Sequence, residues 1–174
     1  MACRIIGWPD QGPRLDLDHE AFAYAGKFVM TNTGKSVLED ADDPLAAVAF
    51  SRDRTDERVW WLRTVTVRRD RQGEGLGPRL LDFTADRMLD PGQAVRIAVN
   101  NPYAYEAAYK AGFGYTGGTT GLAELVLERP SARAAAAYRA GLERYRERDD
   151  LSADARTFLE SRDGSVPPLR AGNP

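Results

Sequence analysis

The sequence predicts an α/β (α+β) fold, and three stretches carry that prediction. The first is residues 59–81, where the apolar run VWWLRTVTV is followed by a charged turn, three alternating glycines and the start of a leucine-bearing helix. The second is residues 94–113, where AVRIAVN alternates as a strand does and runs into NPYAYEAAYKAGF. The third is residues 114–128, a closing hairpin of GYTG, a Gly/Thr loop and LAELVLE. Strands interleaved with helical segments describe a sheet with helices packed on it.

The other elements follow from local pattern. Residues 4–8 (RIIGW) form a short strand ended by Pro9. Asp18 is placed to cap a helix over 19–25 with Gly26 as its stop, although Phe22, Tyr24 and Phe28 alternate as in a strand. Residues 27–39 read as a hairpin: KFVM, a turn at Asn32-Thr33-Gly34, then SVLE. DADDP (40–44) is an acidic loop and LAAVAF (45–50) a strand. The long strand 59–67 presents Val59, Trp61, Arg63, Val65 and Val67 on one face and Trp60, Leu62, Thr64 and Thr66 on the other. Both faces are apolar enough for a central strand. The next helix reaches about Met88 on a stripe of Leu76, Leu80 and Phe83, and Asp90-Pro91-Gly92 ends it. Asn101 as cap, Pro102 in the first turn and Gly112 as stop agree on a helix between them. Ser131 is positioned to cap an Ala/Arg-rich helix to about Arg148, and a second short helix spans 153–161. The reading therefore divides the chain into a core at 1–130, a helical extension at 131–162 and a disordered tail at 163–174.

The glycine-rich turn carries the chemistry. In VRRDRQGEGLGPRLL, glycines at 73, 75 and 77 let the backbone approach a ligand closely and adopt positive φ. The helix that follows offers unpaired N–H groups and the positive end of its dipole, an anion site usually filled by phosphate. The dinucleotide pattern G-x-G-x-x-G fails, because Gly73-x-Gly75 is followed by Gly77 and then Pro78. The Walker pattern fails here for lack of Gly-Lys-Ser/Thr, and at Gly34-Lys35-Ser36 because the upstream glycine position holds Val29. An ordinary strand-to-helix turn would read much the same, so the loop by itself indicates only a phosphate-bearing ligand.

Composition excludes several alternatives. The chain has 174 residues, 43% hydrophobic and 29% charged, enough for a real core. A net charge of −2 argues against nucleic acid as the partner, and the arginines at 68–71 and 139–148 are interleaved with acids. Cys3 is the single cysteine, so neither an internal disulfide nor a Cys-based metal site is available, and no metal is expected. His19 is the single histidine and sits where a surface residue is expected, not a triad member. No apolar run approaches membrane-spanning length, and Arg4 interrupts the N-terminus too early for a signal peptide. A cytoplasmic protein is the default expectation.

Two separate stretches resemble one family. One is V-x₄-Q-x-x-G-x-G at Val67, Gln72, Gly75 and Gly77; the other is strand-N-x-x-A at Asn101 and Ala104, closing with Gly112-Phe113. In that order, over about residues 45–128, they are similar to the core of the GNAT superfamily of N-acetyltransferases. The resemblance implies a mixed central sheet, splayed open between the strands at 59–67 and 94–100 and flanked by helices. It implies acetyl-CoA as acyl donor, its pyrophosphate on the N–H groups of Gln72, Gly73, Gly75, Leu76 and Gly77. The pantetheine would pair with main chain near Val65 and Val67 and hydrogen-bond Asn101. The acceptor would be a primary amine on a small molecule or peptide, attacking directly, between walls at 18–37 and 116–124. A homodimer is compatible with this reading.

Two positions depart from the family pattern. The frequent acid tyrosine is replaced by Ala108, which leaves Tyr105 and then Tyr109 as substitutes. The place of a carboxylate base on the central strand holds Trp61, which leaves Glu124, or Glu106, for that role. Pro78 removes one N–H from the first helical turn, so the phosphate would lean on Arg71 and Arg79. These departures sustain an alternative of another class, a non-catalytic acyl-CoA-binding sensor or regulatory protein.

Overall fold

The computed structural model describes residues 1–170. It is a mixed α/β fold of seven strands and four α-helices. The chain separates into two compact units, Met1–Val95 and the residues from Arg96 onward. The boundary expected at 130 falls inside the second unit.

The first unit is a meander in the order β1 (Ala2–Gly7), β2 (Gly34–Asp40), β3 (Asp43–Arg52) and β4 (Val59–Val67). Each neighbouring pair is antiparallel. The acidic stretch at 40–44 is a tight turn, with Ala41 and Asp42 at positive φ, so β2 and β3 form a hairpin. Helix α1 (Leu76–Met88) packs across this meander. It buries Leu76, Leu80, Leu81, Ala85 and Met88. Its one buried hydroxyl, Thr84, bonds Leu80 O at 2.7 Å and Ser36 Oγ at 2.6 Å, so both hydroxyls in that interface are satisfied.

The opposite face is covered by a segment without regular helix or strand. The expected helix at 19–25 is a single turn on Asp18, whose carbonyl accepts from Ala21 and Phe22 N–H. Tyr24, at φ 62°, then breaks it, and only a short 3₁₀ turn follows at Ala25–Lys27. The expected strand at 27–30 is absent too. Phe28 is fully buried against Ala47 and Ala49, with Leu15 and Leu17 beside it, and Leu15 N–H donates to Phe28 O at 2.9 Å. Phe22, Ala25 and Phe28 are buried together at a spacing of three, which alternation along a strand does not place on one side; a helix would, but Tyr24 at positive φ interrupts it. Lys35 holds the segment down: its buried ammonium donates to Pro13 O at 2.6 Å, to Thr33 O at 3.0 Å and to Met30 O.

Strand β5 (Ala94–Val99) begins in the first unit and continues into the second. There the order is β5, β7 (Leu125–Arg129), β6 (Gly114–Thr119). Helix α2 (Pro102–Lys110) ends at Gly112, φ 93°, as its end signals predict. Helices α3 (Ala135–Arg146) and α4 (Ala153–Glu160) complete the unit. Ser131 is not the cap of α3, which starts four residues later; its Oγ takes the N–H of Arg133 instead. Helix α3 docks through Gly141, where a Cβ would lie 2.0 Å from the Tyr105 hydroxyl oxygen. Arg162 ties α4 to α2 through Glu106 at 2.7 Å.

The tail expected to be disordered over 163–174 is ordered as far as it is described; residues 171–174 lie outside the described residues. Pro167 is buried, Arg133 donates to its carbonyl at 2.7 Å, and Arg170 N–H donates to Lys110 O at 3.0 Å. Arginine fans out to backbone carbonyls here, an anchoring that apolar content alone does not reveal. Deleting residues 164–174 is therefore expected to cost about 2 kcal/mol, from two lost hydrogen bonds and some apolar burial. Thermal melting should show a drop of roughly 4–8 °C.

Candidate active site

Strand β4 delivers the chain to the glycine loop. After Val67, Arg68 N–H bonds Leu45 O and Arg69 N–H bonds Ala21 O, and Arg69–Arg71 make one 3₁₀ turn. Gly73 and Gly75 then adopt φ 84° and 79°, where a side chain is strained, and Gly75 caps α1. Gln72, Gly73, Glu74 and Gly75 are all exposed. Nothing lies within 4 Å of where a Cβ of Gly73 or Gly75 would sit. The first inward bond of the helix is Arg79 N–H to Gly75 O at 3.2 Å, so the preceding amides sit at an open helix start. Arg71 is occupied by Glu74 at 2.7 Å, which neutralises the one carboxylate between the 3₁₀ turn and the helix. Arg79 donates to Met1 O at 3.2 Å. The site is a backbone cradle with its cations already engaged.

The strand that leads to it is bulged. Ala49 pairs with Thr64, and Phe50 with Leu62, so Arg63 is an extra residue in β4. This corrects the single alternation drawn from the sequence, because one inserted residue exchanges the faces beyond it. Val65 and Val67 stand opposite Val48 and Ala46, on the same side as Leu62 and Trp60, not with Trp61. Val67 reaches α1: its Cγ2 is 3.6 Å from a Cβ built on Gly77. On the other face Trp61 Nε1 donates to Asp53 Oδ2 at 2.8 Å, and Arg63 Nε to Ser51 Oγ at 2.8 Å. Asp53 also accepts from Thr55 N–H, Thr55 Oγ and Asp56 N–H. These bonds, that of Thr55 N–H foremost, hold its carboxyl far below the usual range.

A cleft of about 590 Å³ opens at the other end of β4, among Trp8, Arg52, Trp60, Met88 and Gln93. It lies by the first residues of the strand, whereas the cradle follows the last.

Residues 2–114 match the model of the acetyltransferase (GNAT) family. The chain belongs to the GNAT family. Among solved structures it is similar to an acetyltransferase from Thermus thermophilus, at 22% identity over 57% of this chain and 64% of that one, TM-score 0.47. It is also similar to PaiA N-acetyltransferase from Thermoplasma acidophilum in complex with coenzyme A, at 15% identity, 54% and 58% coverage, TM-score 0.45. The chain spans less than two thirds of the length of either. No curated protein matches it. No described helix is long and apolar enough to cross a membrane.

In this GNAT chain Asn101 caps α2, accepting Ala104 N–H on Oδ1 at 2.8 Å, and it is exposed. Tyr105 and Tyr109, the expected acids, are both fully buried. Tyr105 OH donates to Tyr138 O at 2.9 Å, and Tyr109 OH accepts Tyr115 N–H at 2.9 Å. Their rings pack together at 5.0 Å and against Tyr138 at 5.7 and 4.8 Å. Burial drives the Tyr105 pKa far upward. This placement gives an acid role no support: α3 seals the helix face on which the sequence pattern would look for one. Tyr105→Phe should leave kcat unchanged. It should destabilise the fold by about 1 kcal/mol through the lost bond to Tyr138 O, read as a lower melting temperature. Glu124, expected as a base, is half-buried beside β7 and takes the Thr120 hydroxyl at 3.1 Å. Glu106 is paired with Arg162 and Lys110. The sequence reading missed the Arg63 bulge and the Asp53–Trp61 bond; neither leaves a mark in residue periodicity.

Proposed function

We propose that this chain moves an acetyl group from acetyl-CoA to a primary amine by direct attack. The observation that carries the reading is the cradle: two exposed glycines at positive φ opening a helix, one 3₁₀ turn after the strand. Such a cradle suits a pyrophosphate, which needs several N–H donors and close backbone approach. Gln72, Gly73, Gly75, Leu76 and Gly77 would hold that group; Val65 and Val67 would supply main-chain partners to the pantetheine, with Asn101 as a side-chain partner. The donor supplies an activated thioester, so the chain need only orient it, polarise its carbonyl and exclude water. The bulge at Arg63 turns main chain out of the regular ladder and is the candidate source of a polarising N–H. With Tyr105 and Tyr109 turned inward, thiolate departure rests on water, and Glu124 remains the candidate to take the amine proton.

A second reading, a non-catalytic acyl-CoA-binding regulator, is favoured by one observation: the acid position is a buried alanine and its neighbouring tyrosines serve the core. Calorimetry with acetyl-CoA, then a thiol-release screen over amines, separates the two. Binding with turnover supports transfer, binding without turnover supports the regulator, and no binding defeats both.

A further inference from the structure

We propose that Arg63, the extra residue in the β4 bulge, recognises a carboxylate on the acceptor, so that the amine this chain acetylates also carries an acid group. The proposal rests on the acyl-transfer reading above and names the acceptor class that reading leaves open.

Its first support is position. Ala47, Ala49 and Ser51 alternate onto one face of β3, and Leu15, Leu17 and Phe28 cover the two alanines. Of that cover, Phe28 belongs to the stretch expected to wall the acceptor site, and Leu15 and Leu17 immediately precede it. Arg63 bonds Ser51 and therefore stands on the same face, at the place where the cover gives way. Arg63 stands two residues after Trp61, which faces Ser51 from β4, and the bulge adds Thr64 to that same face beside it.

The second support is orientation. Nε is fixed on Ser51 Oγ at 2.8 Å, and the guanidinium carbon lies 5.4 Å from the centre of the Trp61 ring. Trp61 is itself anchored on Asp53. A guanidinium held through Nε and an aromatic face keeps its two terminal nitrogens as a fork, the geometry that takes a carboxylate through two parallel bonds.

The third support is charge. Arg4, Arg58, Arg68 and Arg71 of the same unit are each paired with a carboxylate. No described residue forms an ion pair with Arg63. Asp53 acts on it only from a distance, because its oxygens are taken by Thr55, Asp56 and Trp61. The surrounding chain removes enough water from the guanidinium to pull its pKa down, with Asp53 opposing and Arg54 adding to the effect. Arg63 is an exposed residue, so its guanidinium is open to an incoming anion that its own fold does not provide.

The test is a matched binding panel. Glycine and a set of L-amino acids are titrated calorimetrically into the protein in the presence of coenzyme A, each beside its own primary amide. The acid of at least one pair is expected to bind roughly tenfold or more tightly than its amide, a modest return for one bidentate pair. Arg63→Gln should remove that difference and Arg63→Lys should restore part of it. Equal affinity for acid and amide throughout, no binding by any acid, or a preference that survives in Arg63→Gln would overturn the assignment. Thiol release from acetyl-CoA on the same panel reads transfer itself. A failure of the carboxylate preference is thus distinguished from a failure of the transferase reading.

Discussion

Gly75→Glu is expected to abolish acetyl-CoA binding. Gly75 caps α1 at φ 79°, and its missing Cβ faces open space. A glutamate there would clash with nothing inside the protein, so its effect falls on the ligand. It would place a negative charge at the helix end that should receive a pyrophosphate. Two unit charges about 4 Å apart repel by about 4 kcal/mol at an effective dielectric of about 20, close to a thousandfold in affinity. Glu74 adds no such penalty because Arg71 neutralises it. Gly75→Ala serves as the control: it keeps the backbone strain and omits the charge, so its loss should be far smaller. Unchanged affinity in a folded Gly75→Glu variant, measured by calorimetry, would sink the cofactor assignment.

Lys35→Met is expected to destabilise the fold more than any other single change discussed. The methionine retains most of the apolar stem but removes the ammonium that gathers Pro13 O, Met30 O and Thr33 O. Leaving a buried polar group unsatisfied costs about 1–3 kcal/mol, and three carbonyls lose their shared donor at once. Water can reach part of that loop, so a total of about 3–5 kcal/mol is reasonable, or a melting temperature lower by roughly 10 °C. The segment carrying Leu15, Leu17 and Phe28 should loosen first, because the lysine ties its two ends to β2. Hydrogen exchange would show this as early loss of protection at Leu15 N–H, which is bonded to Phe28 O. An unchanged melting curve would mean that the apolar cover alone holds the segment.

Elements whose ends carry chemical marks were legible in the sequence. β4 is bounded by polar turns, α1 begins at glycines, and α2 has Asn101, Pro102 and Gly112 in the right places. At each of these points a single residue type satisfies or breaks a backbone hydrogen bond. The cradle was legible for the same reason, since positive φ at Gly73 and Gly75 is a local property. Other features depended on partners remote in sequence, and packing settled them. The stretch at 19–30 is interrupted at Tyr24 and held by the burial of Phe28 on Ala47 and Ala49 together with the pull of Lys35. The face of Val65 and Val67 follows a bulge that only pairing with β3 reveals. Tyr105 and Tyr109 turned out to be packing residues because α3, about thirty residues later in the chain, brings Tyr138 and Gly141 against them. The tail is held by Arg133, whose carbonyl partner at Pro167 is 34 residues away. Periodicity reports how residues repeat along one element, whereas contact between elements sets where each hydroxyl, guanidinium and ammonium finds its partner.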